Sequence, residues 1–446
     1  MSSPDTFLAR RICQGAESRM SFPTNLLQAL KLDREEGTKQ IFEVLRNLSF
    51  DGVGVSRETY GHGETKAIDF IASLAVASGL SCFADPAGNM ILECPGLDTS
   101  LPFVATGSHL DSVPQGGNYD GSAGVVAGLL TLLDAQQQNL SRTLRTYILR
   151  GEESAWFGGP CYFGSRAMFG QLTDHDLESM HRSQKRPLRA QMESCGIQVD
   201  AMMEQAPWAE SHQFAAWVEL HIEQGPVLVQ KKKPIGIVTG IRGNVRHRKA
   251  VITGEAGHSG AVPRWLRHDA VLAMAELMHR MDGHWKTLLE QGEDLVLTFG
   301  IVETDAKEHA VSRIPGMVSF SIEYRSQDET TLKLFGNLLA EEAEDISQKR
   351  KLSIDLGDVS QTKAAIMDPK LVALAQQTAS DQQVDFEIMA SGAGHDTAVF
   401  ANQNIPSTML FVRNENGSHN PHEAMDIKDF LAASHILSKM LCQLAL

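Results

Sequence analysis

The chain has 446 residues, the apolar content of an ordinary globular protein and a formal net charge of −15 at neutral pH. That length supports two domains with separate cores. The acidic balance argues against a nucleic-acid partner and obliges any anionic substrate to meet a local cationic pocket. Six scattered cysteines (Cys13, Cys82, Cys94, Cys161, Cys195, Cys442) without a CxxC pair fit reduced thiols in a cytoplasm better than a disulfide framework or a thiolate metal site. Residues 1–20 lack the apolar core of a secretory signal, and no apolar run is long enough to cross a membrane.

Apolar positions at helical spacing (Leu26, Leu27, Leu30, Ile41, Val44, Leu45) predict a helix over about 24–49, and Ile68, Ile71, Leu74 and Ala75 predict another over 65–77. The run Phe103-Val104-Ala105-Thr106 reads as a buried strand that delivers His109 and Asp111; a Gly-rich loop then leads to Asp120 and a helix over 124–135. The strand at 146–149 runs into Glu152-Glu153, and the strand at 214–220 into His221-Ile222-Glu223-Gln224-Gly225. Strands alternating with helices predict an α/β domain with a mostly parallel, helix-covered sheet. From about 237 the character changes: a strand at 248–253, a helix at 265–281, strands at 295–302 and 316–324, a helix at 329–347 and a strand near 352–356. That β-α-β-β-α-β order predicts an α+β two-layer unit. Afterwards a strand at 384–388 runs into Ser391-Gly392-Ala393-Gly394-His395-Asp396, and one at 408–412 leads to Ser418-His419-Asn420-Pro421-His422-Glu423. The expected organisation is a catalytic domain in two segments, 1–236 and 353–446, around an inserted domain, 237–352.

One plan recurs: an apolar strand, then a potential metal ligand near its carboxyl end, where sites form in open α/β sheets. Singly, a Glu-Glu pair is a common solvated face; jointly the five groups His109, Asp120, Glu153, His221 and His419 predict one site. Five ligands exceed one tetrahedral zinc with an open position and suit two divalent ions about 3.5–4 Å apart with a bridging carboxylate. Asp120 is the expected bridge, with His109 and His221 on one ion and Glu153 and His419 on the other. Nitrogen and oxygen ligands fit Zn²⁺, Mn²⁺ or Co²⁺, and Asp111 is expected to orient the His109 ring. Adjacent residues leaving a strand face opposite ways, so Glu152 is assigned as general base beside Glu153 as ligand. The chemistry is metal-assisted hydrolysis of a carbonyl–nitrogen bond. No Gly-x-Ser-x-Gly elbow and no phosphate-cradling loop competes with it.

These motifs, with Gly257-His258-Ser259-Gly260 and Glu219-Leu220-His221-Ile222-Glu223-Gln224-Gly225, resemble the amidase, or carbamoylase, branch of the M20 metallopeptidase-like family over nearly the whole chain. That branch holds N-carbamoyl-L-amino acid hydrolases, allantoate amidohydrolases and β-ureidopropionases. The resemblance implies the same five ligands and the same base, and makes the inserted domain a lid and dimerisation domain in a homodimer. It implies that His258 steadies the oxyanion in the partner subunit, that Gln224 contacts the ureido group, that Arg325 clamps the substrate carboxylate, and that backbone amides around Gly394 complete the anion pocket. Three positions depart from the family pattern: Ser312 stands where the family has a substrate-holding Asn, Trp156 follows the Glu pair in place of an Arg, and Arg264 and Trp265 lie in an altered hairpin. The leading expectation is hydrolysis of a ureido or amide bond in a small carboxylate-bearing substrate. The rivals are an N-acyl amino acid hydrolase or dipeptidase of the same family, a hydrolytic deaminase of an aromatic substrate suggested by the changed pocket, and a scaffold that kept the fold without the chemistry, which the complete ligand set speaks against.

Overall fold

The computed structural model describes residues 21–159 and 161–446; the readings made for residues 1–20, Cys13 included, lie outside the described residues. Its strands in chain order are β1 (Ser81–Ala84), β2 (Met90–Cys94), β3 (Phe103–His109), β4 (Leu144–Leu149), β5 (Phe214–Ile222), β6 (Ile235–Ile241), β7 (Gly243–Thr253), β8 (Gly257–His258), β9 (Val296–Glu303), β10 (Arg313–Ile314), β11 (Met317–Ser326), β12 (Ser353–Asp355), β13 (Val359–Thr362), β14 (Ala365–Ile366), β15 (Phe386–Ser391) and β16 (Ser407–Val412), followed by a short ribbon. The chain divides into two compact units, one built from the segments that end at Thr239 and resume at Met367, the other from Gly240–Ile366.

In the first unit a sheet runs β1-β2-β4-β3-β5-β16-β6, with β15 also paired to β6. The centre is parallel: β4–β3, β3–β5 and β5–β16. The flanks are antiparallel: β1–β2, β2–β4 and β16–β6. The sheet is therefore mixed rather than mostly parallel. The short link between β1 and β2 permits only a hairpin, whereas each parallel pair needs a crossover. Strand β3 is buried at every position, as a strand covered on both faces must be. Its neighbour β5 shows how: Ala216, Val218, Leu220 and Ile222 enter one core with the helices Ser122–Ala135 and Ile427–Ala445, while Phe214 and Trp217 enter the opposite core with Phe400. Trp217 stacks on Phe400 at 3.6 Å between ring centroids.

The single helix expected over 24–49 is two, Ser21–Leu32 and Arg34–Asn47, because the Asp33 carboxylate caps the second by accepting the Glu36 N–H at 3.1 Å. Among the described residues no helix is long and apolar enough to cross a membrane.

The second unit is an antiparallel sheet ordered β12-β7-β11-β9, with β13 also on β7. Helices Ala270–Glu290 and Glu329–Arg350 bury Ala273, Met274, Leu277, Met281, Leu332, Phe335, Leu339 and Ile346 in one core with Ile252, Val318, Phe320 and Ile322 of the strands. The helix expected to start at Trp265 begins at Ala270, where the Asp269 carboxylate caps it; Trp265 lies in a short turn before it. The unit extends past residue 352, because β12 and β13 both pair with β7.

Candidate metal centre

Strand ends deliver the site. His109 is the last residue of β3, and His221 lies inside β5 rather than beyond its end. Because β3 and β5 are parallel neighbours, the two rings arrive side by side, Nε2 to Nε2 at 3.4 Å. Each ring turns Nδ1 to a backbone carbonyl, His109 to Asp111 O at 3.0 Å and His221 to Ile222 O at 2.9 Å. A carbonyl can only accept, so Nδ1 carries the proton on both rings and both Nε2 atoms present lone pairs. The His221 Nε2 also accepts the Gly121 N–H at 3.1 Å.

Asp120 sits between these lone pairs and a second group. Its Oδ1 lies 3.5 Å from His109 Nε2 and 3.2 Å from His221 Nε2, is buried, and has no hydrogen-bond partner. Its Oδ2 lies 3.5 Å from His419 Nε2, which in turn lies 3.6 Å from Glu153 Oε1. Two triads thus share one carboxylate: His109, Asp120 and His221, and Asp120, Glu153 and His419. Lone pairs converging on an orphaned buried carboxylate oxygen repel one another unless a cation lies among them, so the residues fit a divalent metal. Gly121 makes the approach of His109 feasible. At φ 65 it is left-handed, and a Cβ there would strike the His109 ring.

Asp111 does more than orient one ring. Fully buried, it lies 3.3 Å from His109 Nδ1 through Oδ1. It also accepts the N–H of Glu152 at 3.1 Å, the N–H of Glu153 at 3.2 Å and the Thr59 hydroxyl at 2.5 Å. One carboxylate therefore fixes both the first ligand and the turn bearing Glu152 and Glu153. Glu152 Oε2 stands 3.9 Å from His109 Nε2. Burial, and then the nearby carboxylates Glu153 and Asp396, hold its pKa well above the ordinary carboxylate value, with His109 opposing. Burial also opposes ionisation of Asp120, but hydrogen bonds and positive charge from His109 and His221 in their protonated form overcome it and hold that carboxyl well below its usual value; the lone-pair form of the two rings is the one a bound cation selects.

Gln224 arrives in the left-handed region at φ 62 and donates from Nε2 to Asp120 Oδ2 at 2.8 Å. His419 is half exposed. Gly394 lies in the turn leading to His395, whose ring packs on His221 with centroids 4.5 Å apart. His258, Ser312 and Arg325 belong to the second unit. There His258 and Arg313 are directly opposed on β8 and β10, Ser312 O accepts the Ser259 N–H at 2.8 Å, and Arg325 pairs with Glu323 at 2.9 Å. Trp156 stacks on His181 and donates its indole N–H to Ser112 O at 2.7 Å. The indole thus braces the loop after the Glu pair.

Sequence reasoning missed Glu423, which lay in the quoted Ser418–Glu423 segment. It accepts the Tyr119 N–H at 2.7 Å, the Asp120 N–H at 3.3 Å and the Ser418 hydroxyl at 2.7 Å, so it ties the Asp120 loop to the His419 loop; burial and then Asp120 push its carboxyl up to about 7. It also missed Glu219, which joins Ser108 on β3 to Thr397 beyond the Gly394 turn, at 2.8 and 2.6 Å.

Residues 105–443 match the family described as Peptidase family M20/M25/M40, and the chain belongs to that family. It is similar to the allantoate amidohydrolase of Escherichia coli, 32% identical over 372 residues that span 83% of this chain and 88% of that protein. It is similar also to the N-carbamoyl-L-amino-acid amidohydrolase of Paenarthrobacter aurescens, 29% identical across 93% of this chain and 98% of that one. The crystal structure of an amidase of the hydantoinase/carbamoylase family from Burkholderia multivorans superimposes with a TM-score of 0.81 at 25% identity, over 92% of this chain and 98% of that one. The protein is a hydrolase, and the proteins it resembles are named for cleaving carbon–nitrogen bonds.

Proposed function

We propose that the protein is a dinuclear metal-dependent amidohydrolase that cleaves the ureido or amide C–N bond of a small carboxylate-bearing substrate of the N-carbamoyl-L-amino acid or allantoate type. The observation that carries this reading is the pair of triads sharing Asp120, with Glu152 beside them. Two divalent cations, Zn²⁺, Mn²⁺ or Co²⁺, when bound, would supply Lewis acidity and lower the pKa of a water molecule. His109 and His221 would hold one through Nε2, Glu153 and His419 the other, and Asp120 would give one oxygen to each. Glu152 takes the proton of the attacking water at its carboxylate and returns it to the leaving nitrogen, so that the C–N bond breaks to a neutral amine. Gln224, already aimed at the cage, offers an amide to the ureido group.

In the second unit, Arg325 is the proposed carboxylate clamp, its guanidinium oriented by Glu323, and Ser312 the substrate-holding neighbour of His258. His258 acts in the partner of a homodimer formed through this unit, as lid and dimerisation domain. The exposed Trp265, Val271, Leu272 and Met278 at and near helix Ala270–Glu290 supply apolar surface of the kind an interface covers. The free cysteines among the described residues support a cytoplasmic setting.

The test is ammonia release from N-carbamoyl-L-amino acids and allantoate by metal-loaded protein, with Glu152→Gln as control. That variant retains its bound metal and loses about 10²–10⁴-fold in turnover. Release of a carboxylic acid without ammonia would instead establish an N-acyl amino acid hydrolase or dipeptidase, a reading that the peptidase description of the family supports.

A further inference from the structure

The chain after the Glu pair folds back onto it. The N–H groups of Tyr162, Phe163 and Gly164 donate to the carbonyls of Glu152, Gly151 and Arg150 at 3.2, 2.9 and 2.8 Å, so Tyr162 is stitched to the proposed base through the backbone. Tyr162 itself is held at φ 57, a left-handed conformation that costs a side-chain-bearing residue free energy and persists only where its surroundings enforce it. That backbone carries the phenol to the turn Ser391–Asp396, where a Cβ on Gly394 would run into the Tyr162 hydroxyl. The same turn is anchored from the Tyr162 side, because Ser165 donates to Asp396 Oδ1 at 2.5 Å. It continues into His395, whose ring packs on His221 of the cage. The phenolic oxygen therefore stands beside Gly394, between the segment of Glu152 and the segment of His395. Burial, and then the charges of Cys161, Glu152 and Asp396 and a hydrogen bond to Cys161, hold the phenol pKa well above its ordinary value, so the hydroxyl keeps its proton at neutral pH.

This turn therefore adjoins the Glu152 segment through Tyr162 and the cage through His395. We propose that Tyr162 determines specificity by donating its phenolic O–H, from its seat against Gly394, to the carboxylate of the substrate. This rests on the ureido-carboxylate reading above and adds to it a donor within the first unit.

The experiment compares an N-carbamoyl-L-amino acid with its carboxamide in metal-loaded wild type and Tyr162→Phe. Loss of one hydrogen bond to a charged acceptor lowers the acid-over-amide ratio of kcat/KM by about 10- to 100-fold, and calorimetric binding of the acid weakens relative to the amide in the same proportion. A ratio equal to the wild type's, by kinetics and by calorimetry, overturns the proposal. If wild-type protein hydrolyses neither compound, the functional reading fails, and the calorimetric ratio alone decides the role of Tyr162. Folding is controlled by Gly394→Ala, which lowers Tm through the clash with the hydroxyl. Tyr162→Phe added to it recovers part of that loss, and strict additivity of the two substitutions refutes the contact.

Discussion

Asp111→Asn is the sharpest test of how the site is built, because the change is nearly isosteric and every neighbour of this carboxylate is a donor. Oδ1 accepts the Glu152 N–H and faces His109 Nδ1; Oδ2 accepts the Thr59 hydroxyl and the Glu153 N–H. An amide must turn its NH₂ toward one of these pairs whichever way it flips. One or two hydrogen bonds to a buried charge are then lost, because the Thr59 hydroxyl can reverse and accept whereas the backbone N–H groups cannot, at about 1.5–3 kcal/mol each, or about 1.5–6 kcal/mol in all. That is a large share of the 5–15 kcal/mol that a typical domain possesses. The same substitution frees the His109 ring and the Glu152–Glu153 turn together, so metal affinity falls by about 10- to 100-fold. Urea unfolding reads the first effect as a lower midpoint at constant m, and competition against a chromophoric chelator reads the second. If Asp111→Asn unfolds within about 0.5 kcal/mol of wild type and binds metal as wild type does, the convergence of these donors on Asp111 is not what holds the site.

Two further outcomes follow from the same geometry. Stripping divalent ions with a chelator lowers Tm, since an ion at about 100 times its Kd stabilises the folded state by about 2.7 kcal/mol; an unchanged calorimetric Tm contradicts a resident cation. Gly121→Ala forces a methyl against the His109 ring at φ 65, costs about 1–2 kcal/mol in backbone conformation alone, and lowers bound metal per chain as measured by elemental analysis.

The catalytic unit was legible where geometry is local. The run Phe103–Thr106 forecasts a buried strand, and a strand end fixes where His109 emerges; the same holds for Glu152 and Glu153 after β4. Ligand-type residues at or after strand ends were therefore expected to converge without any knowledge of pairing order. What stayed hidden depends on partners far along the chain. Nothing in the spacing of Glu423 says that it caps the Asp120 loop some 300 residues earlier, and nothing about Asp111 says that it grips the backbone of Glu152 and Glu153. The antiparallel flanks were likewise invisible, because periodicity distinguishes strand from helix and says nothing of direction. The partners of Trp156 were hidden for a related reason: its indole is engaged by Ser112 and His181, neither of them close in sequence.

The proposed role of His258 across a dimer gives a prediction with an arithmetic of its own. If each site takes Glu152 from one subunit and His258 from its partner, the homodimers of Glu152→Gln and of His258→Ala are both inactive. A mixed dimer then contains one site with both defects and one site with neither. Random reassortment of equal amounts makes about half of the dimers mixed, each with one intact site, so activity returns to about a quarter of the wild-type value in a two-fold assembly. The assay is ammonia release after the two variants are mixed under conditions that exchange subunits, with sedimentation confirming dimers before and after. Full restoration is arithmetically excluded, and mixing without any recovery, in a preparation shown to have exchanged, would mean that His258 serves its own subunit's site or none.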